Sequence, residues 1–304
     1  MRKRLLSLLV CLAMLCTLLP AVAGAADQSF SDMPAESHWS YKALTAAVEN
    51  GLLQGSGGRL TPGNKLTRAQ MAAVINRAFG AQDTEDISMY TDVPGTAWYA
   101  GDIAKAVRMG TFHGSGTKMR PEDPISRQEA FAVLARAFKL PQGDASALDR
   151  FSDKASISAW AVPELAAMAE NGYVNGSNGK LNPLNSITRA EFAQVMYNMI
   201  RRYYKAAGTY SDALPGNRMI NAPGVTLKDV TVEGDLIVGE GAANGDVWLD
   251  NVKIGGRLVI RGGGENSVHI INGSEVGSIL IGKTGDGGVR LRTEEEPRHQ
   301  ELFP

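Results

Sequence analysis

Three arginines share one local setting. Arg68, Arg127 and Arg189 each follow a hydroxyl residue (Thr67, Ser126, Thr188) and stand two positions before an amide or carboxylate (Gln70, Glu129, Glu191). A Ser or Thr followed three residues later by Glu or Gln is a capping box, so each arginine should occupy the first turn of a helix. Unpaired backbone N–H groups and the positive end of the helix dipole lie at that place. A guanidinium there can form a paired, charge-assisted hydrogen bond to a carboxylate. Equally, it can tie its own segment to an acidic residue of a neighbouring one. Neither composition nor spacing decides between the two.

Other residues keep step with the arginines. Trp39, Trp98 and Trp160 each precede one by 29 positions. An indole can stack on a sugar face or fill a core where a helix begins. Asp32, Asp92 and Asp153 lie upstream of the tryptophans, each two positions after an aromatic residue, Phe30, Tyr90 or Phe151. They can accept hydrogen bonds from sugar hydroxyls or brace a turn. Gly55, Gly114 and Gly176 let backbone approach a ligand closely, although a tight turn accounts for them nearly as well.

The elements that position these residues follow from the same register. Gly51, Gly110 and Gly172 fall 12 residues after each tryptophan, and Pro62, Pro121 and Pro183 precede each arginine by six. Each copy reads as helix, loop, helix. The first helix is expected over Trp39–Asn50, with Tyr41, Leu44, Ala47 and Val48 at helical spacing. Gly51 sits where a left-handed helix end favours glycine. The second helix opens at the capping box. One such pair buries little apolar surface, so the three copies should pack into one body.

These motifs resemble the S-layer homology family: Trp, Gly-x-x-x-Gly, Pro, then a Thr-Arg-Ala-Glu-like helix start, three times over residues 27–204. Thr188-Arg189-Ala190-Glu191 matches fully, Thr67-Arg68-Ala69-Gln70 nearly, and Ser126-Arg127-Gln128-Glu129 least. The resemblance implies a mainly α fold of helix-loop-helix repeats arranged as a pseudo-threefold trimer within one chain. It also implies non-covalent binding to an acidic secondary cell-wall polysaccharide, often bearing pyruvate ketals. Each ketal presents one carboxylate, which suits the arginines. The expected polysaccharide-binding residues are thus Arg68, Arg127, Arg189, Trp39, Trp98, Trp160, Asp32, Asp92, Asp153, Gly55, Gly114 and Gly176.

A different repeat follows. Val225, Val247, Val268 and Val289 are spaced 22, 21 and 21 apart. Leu227, Leu249 and Ile270 keep those steps, as do Leu236/Val238, Leu258/Ile260 and Ile279/Ile281. Asp229, Asn251 and Asn272 also fall in register. Short alternating strands with Gly or Asn turns at this period predict a small all-β parallel solenoid of about three coils. Its in-register Asn side chains are placed for an amide ladder. The expected organisation is a signal peptide (1–25), repeats at 27–80, 88–140 and 149–204, a linker (205–221), a β-solenoid (222–292) and a charged tail (293–304).

The first 25 residues have the three parts of a secretory signal. Arg2, Lys3 and Arg4 precede an apolar run, Leu5–Leu19, and Ala23-Gly24-Ala25 offers a cleavage site. The alternative is a membrane anchor, but about 20 apolar residues are needed to span a bilayer. Both cysteines, Cys11 and Cys16, belong to this run, so the mature chain should lack disulfides and thiol nucleophiles. Removing three basic residues and no acidic ones takes the formal charge from −1 to −4. That balance argues against a nucleic-acid partner. No transmembrane segment is expected in the mature chain.

Enzyme signatures are weak. His38, His113, His269 and His299 show no metal-ligand spacing, and no G-x-S-x-G nucleophile elbow occurs. Gly277-Ser278-Ile279-Leu280-Ile281-Gly282-Lys283-Thr284 satisfies the phosphate-loop pattern. However, its interior reads as a strand and Gly285-Asp286-Gly287-Gly288 follows in place of a helix, so no nucleotide is expected. No cofactor or metal is implied. The expected role is non-covalent wall anchoring. The alternatives are a scaffold that self-associates through its solenoid into a layer or filament, and a polysaccharide-processing enzyme.

Overall fold

The computed structural model describes residues 30–265, 267–284 and 287–293. The expected signal peptide, with both cysteines, and the tail from Glu294 onward lie outside the described residues. Among the described residues, six α-helices come first: α1 (Tyr41–Glu49), α2 (Arg68–Phe79), α3 (Ala100–Arg108), α4 (Arg127–Ala137), α5 (Val162–Glu170) and α6 (Arg189–Met199). The first helix of copy one is shorter than expected. It starts at Tyr41, so Trp39 stands in the turn before it. All three capping boxes form, at Thr67/Gln70, Ser126/Glu129 and Thr188/Glu191. Gly51, Gly110 and Gly172 adopt left-handed backbone after the first helices, where a side chain is costly.

The copies close into a ring. The second helix of each copy packs on the first helix of the next: α2 on α3, α4 on α5, and α6 back on α1. At the centre, three backbone bonds run in a circle. Leu66 N–H donates to the Ile187 carbonyl (2.9 Å), Ile187 to Ile125 (3.0 Å) and Ile125 to Leu66 (2.9 Å). All three side chains are fully buried. The pseudo-threefold body is therefore sealed by both hydrogen bonding and apolar packing.

Nine parallel strands follow: β1 (Arg202–Tyr204), β2 (Gly208–Tyr210), β3 (Arg218–Ile220), β4 (Val225–Val232), β5 (Leu236–Val238), β6 (Val247–Ile260), β7 (Val268–Ile271), β8 (Glu275–Ile281) and β9 (Leu291–Thr293). They wind into a parallel β-solenoid of about four turns, against the three expected. One stack is β1, β3, β5, the end of β6 and β8; the other is β2, β4, the start of β6, β7 and β9. The extra turn comes from residues 205–221, expected as a linker. Its β2 and β3 pair with β4 and β5. Their strands are only three residues long, too short to show alternation. Side chains stack in register as the repeat requires: Val225 on Val247 on Val268, and Leu236 on Leu258 on Ile279, all of them buried except Ile279 on the outer strand β8. The last step differs, because Val268 pairs with Leu291 and not with Val289.

The expected amide ladder is only partial. Asp229, Asn251 and Asn272 all have φ between 53 and 54°, the left-handed setting that Asn and Asp tolerate. Asn251 donates to Asp229 at 2.7 Å, but Asn272 donates to Asp250. Positive φ, shared by all three, explains the recurrence better than a continuous ladder. The phosphate-loop-like segment is a strand: β8 contains Gly277–Ile281, and Lys283 donates its ammonium to the Gly263 carbonyl at 2.6 Å.

The solenoid is seated on the helical body. Met219, Ile237 and Val259 pair in one row and face away from the solenoid interior, into the same core as Phe79, Phe138 and Met199. Polar side chains beside that row meet the carbonyl ends of all three second helices. Asn221 Nδ2 donates to Ala78 (3.2 Å), Arg261 Nη1 to Ala137 (3.1 Å) and Asn217 Nδ2 to Met199 (2.8 Å). Helix C-terminal carbonyls lack partners within the helix and carry partial negative charge. The solenoid supplies those partners.

Candidate functional site

Each arginine emerges from the first turn of its helix and crosses into the next copy. Arg68 Nε donates to the Met119 carbonyl (2.8 Å), Nη1 to Glu129 (3.0 Å) and Nη2 to the His113 carbonyl (3.3 Å). Arg127 Nε donates to the Leu181 carbonyl and Nη1 to Glu191, both at 2.7 Å. Arg189 completes the ring, donating to the carbonyls of Leu60 (2.9 Å) and Gln54 (2.8 Å) in copy one. Burial, above all, pulls each guanidinium's pKa down, yet arginine stays charged at any physiological pH.

The capping glutamates have two roles. Glu129 Oε2 accepts from the Ser126 backbone N–H and hydroxyl, leaving Oε1 for Arg68. Glu191 divides its oxygens likewise between Thr188 and Arg127. Gln70 accepts from Thr67 N–H at 3.2 Å but offers no carboxylate. Among the described residues Arg189 accordingly has only carbonyl acceptors.

The helix N-termini are not free, contrary to the sequence expectation. Arg68 and Ala69 N–H donate to the carbonyls of Asp123 and Pro121; Arg127 and Gln128 to Asn185 and Pro183; Arg189 and Ala190 to Asn64 and Pro62. The proline-containing loop of the next copy occupies the first two N–H groups, and the cap occupies the third. Those N–H groups are therefore not available to an anion.

The aspartates brace the loops. Asp32 accepts from Leu60 and Thr61 N–H, Asp92 from Met119 and Arg120, and Asp153 from Leu181 and Asn182, at 2.7–2.9 Å. Thr61, Arg120 and Asn182 have φ of 51–54°, so each carboxylate pins a left-handed turn. The Leu60 hydrogen bond leads in holding the Asp32 carboxyl below its ordinary range. For Asp92 and Asp153 burial pushes upward, but the combined backbone donors outweigh it and the pKa is lowered. Gly114 and Gly176 make room for an aromatic ring. A Cβ at Gly176 would stand 2.9 Å from Phe151 and against the Lys180 carbonyl, and one at Gly114 would strike Tyr90. Gly55 meets Phe30 in the same way.

The tryptophans are on the surface: Trp39 is 56% exposed, Trp98 63% and Trp160 50%. An exposed indole at the same place in every copy does not serve the core. Trp160 of copy three, Arg68 of copy one and the Gly114 loop of copy two line one groove of about 350 Å³. That volume lies within the range of small-molecule sites. His113, Lys118, Arg120 and Arg136 add polar and cationic groups. Arg136 went unnoticed in the sequence, although Arg77 and Arg136 hold the same register position nine residues after Arg68 and Arg127, with Asn198 in copy three. Gln128 lies outside the groove's lining. It is buried and bonds Ser158 through both amide atoms, at 3.0 Å each, two residues before Trp160. Among the described residues no cluster of three or more His, Cys, Asp or Glu could hold a metal ion, and no helix is long and apolar enough to cross a membrane.

The S-layer homology domain matches residues 29–72, 90–131 and 150–193. The chain is 33% identical over 228 residues to the surface-layer 125 kDa protein of Lysinibacillus sphaericus, covering 73% of this chain and 19% of that one. It is 26% identical over 238 residues to the S-layer protein sap of Bacillus anthracis, 76% of this chain and 28% of that one. An amylopullulanase of Thermoanaerobacterium thermosulfurigenes is 30% identical over 181 residues, 58% of this chain and 10% of the relative. The chain thus spans less than a third of the length of each of these relatives.

Proposed function

The chain belongs to the S-layer homology family through its three repeats, and we propose that it holds itself non-covalently to an acidic, pyruvylated secondary cell-wall polysaccharide through the grooves between those repeats. The protein is located at the cell surface, in the cell wall. The observation that carries the binding reading is the convergence of Trp160, Arg68 and the Gly114 loop, each from a different repeat, on one groove. The indole offers a flat apolar face with one donor for a sugar ring. The neighbouring guanidinium groups offer charge-assisted bonds to a ketal carboxylate. By the cyclic order of the repeats, Trp98 serves the groove of Arg189, and Trp39 that of Arg127. The aspartates and glycines act on the ligand indirectly, by shaping the loops.

The role is anchoring, not catalysis. Retention of the full chain on purified cell walls tests this. Walls carrying the polysaccharide should hold the protein, and walls stripped of it should not. Equal retention on both would overturn the reading.

A further inference from the structure

The three grooves differ at several positions around the crossing arginine (His113, Gln54 and Asn175; Arg120, Thr61 and Asn182; Arg136, Arg77 and Asn198), and in the charge of the capping box they differ at one residue. In two of them the crossing arginine already has an internal carboxylate: Glu129 stands 3.0 Å from Arg68 and Glu191 stands 2.7 Å from Arg127. In the third the corresponding position is Gln70, and Arg189 has only the carbonyls of Leu60 and Gln54. A second cation, Arg77, holds the same loop through the Leu52 carbonyl at 3.1 Å. The Asp32 carboxylate acts electrostatically on Arg189. Both its oxygens are taken by backbone N–H groups, and Asp92 and Asp153 occupy the same place in the other grooves. The aspartates therefore cancel in the comparison, and residue 70 alone changes the formal charge of the capping box.

We propose that Gln70 makes the Arg189 groove the highest-affinity site for a carboxylate-bearing sugar, so that the capping-box residue sets the ranking of the three grooves. This rests on the polysaccharide-binding reading above. A glutamate at this position can perform two tasks with its two oxygens, closing the helix cap and neutralising the incoming arginine. A glutamine performs the first and leaves the second undone. An anionic ligand entering the Arg189 groove then meets Arg189 and Arg77 and no competing carboxylate on the capping box, whereas in the Arg68 groove Arg136 and Arg120 are already paired with Glu164 (3.4 Å) and Asp123 (2.7 Å). In the other grooves it must share the arginine with Glu129 or Glu191, or displace it. The favoured ligand class is a glycan with a single accessible carboxylate, as in a pyruvate ketal. A neutral glycan should not distinguish the grooves.

The variant Gln70→Glu separates folding from binding. It retains the capping box, since Glu serves at that position in both other copies. It adds an acidic residue to the first helical turn, where the dipole favours it, so the melting temperature should stay the same or rise. Calorimetric titration of the full chain with a pyruvate-ketal monosaccharide should show the tightest binding event weakened by about tenfold or more. The reverse exchange, Glu191→Gln, should lower the melting temperature yet tighten binding in the Arg127 groove, adding a second high-affinity event. The methyl ester of the same sugar is the control. If wild-type protein binds acid and ester alike, carboxylate recognition itself fails. If wild-type protein prefers the acid but Gln70→Glu and Glu191→Gln leave its affinities unchanged, the ranking by residue 70 is wrong and the general reading survives.

Discussion

Arg127 and Glu191 stand 2.7 Å apart across the boundary between the second and third repeats, and the same glutamate caps the helix on which Arg189 begins. One side chain therefore joins local helix formation to the packing of neighbouring copies. Replacing it should have a graded cost. Glu191→Gln keeps the cap and loses the ion pair, which is about one-third exposed on the glutamate side. A loss of roughly 0.5–1 kcal/mol is expected after solvent screening. Glu191→Ala removes the reciprocal cap as well and should cost about 1–2 kcal/mol more. Urea denaturation of the two variants gives the difference; equal costs would mean that the cap contributes nothing.

Acid should loosen the loops. Asp32, Asp92 and Asp153 have carboxyl pKa values held down by backbone donors in the folded protein. A depressed folded-state pKa gives stability that is fully present above the unfolded value near 3.9 and is lost as pH falls through the folded value. Stability should thus drop below about pH 4, and Asp153→Asn should reduce that dependence. Its amide oxygen can still accept, but the NH2 group that replaces the other oxygen cannot. Melting curves between pH 3 and pH 7 report both effects.

The capped helix ends predict that the two parts stabilise each other. Arg261 is fully buried, contacts Glu240 at 2.8 Å and reaches the carbonyls of Ala137 and Met109. Arg261→Ala should cost about 3 kcal/mol or more, because it removes the ion-pair partner of the largely buried Glu240 and leaves its Oε1 only the Thr284 hydroxyl at 3.2 Å. Truncation after residue 204 should lower the melting temperature of the remaining repeats, since it exposes Phe79, Phe138 and Met199 and removes three caps. A truncated form that melts like the full chain would show that the solenoid is an independent passenger.

Much of the helical body was legible because its signals are local. A capping box is written in four consecutive residues, and a glycine in left-handed backbone at Gly51, Gly110 or Gly172 reports its own conformation. The solenoid register of Leu236, Leu258 and Ile279 was legible for the same reason, since a strand period needs few residues. What remained hidden was relational. Spacing alone left open whether Arg68 would find Glu129 or a ligand, because the answer depends on how the ring closes. Repetition of Asp92 signalled importance without separating a brace from a ligand. Residues 205–221 looked like a linker because Gly208, Pro215 and Gly216 outweigh two strands of three residues each. Arg257, whose Nη1 donates to the Lys139 carbonyl at 2.6 Å, and Arg261 gave no sign of meeting the end of α4 more than a hundred residues earlier.

Arg189→Ala should impair glycan binding more than Arg127→Ala. The reason is the neutral Gln70 opposite Arg189. Losing a charge-assisted bond should weaken binding by about tenfold to a hundredfold. Titration with a pyruvylated sugar, with melting curves run alongside, separates a lost contact from a lost fold.

Wall retention of a Trp39→Ala, Trp98→Ala, Trp160→Ala triple variant reports whether the inter-repeat grooves hold the polysaccharide. All three indoles are at least half exposed, so the variant should melt close to wild type. If the inter-repeat grooves hold the polysaccharide, the triple variant should wash off purified cell walls that retain the wild-type chain. A folded triple variant retained as firmly as wild type would contradict the account.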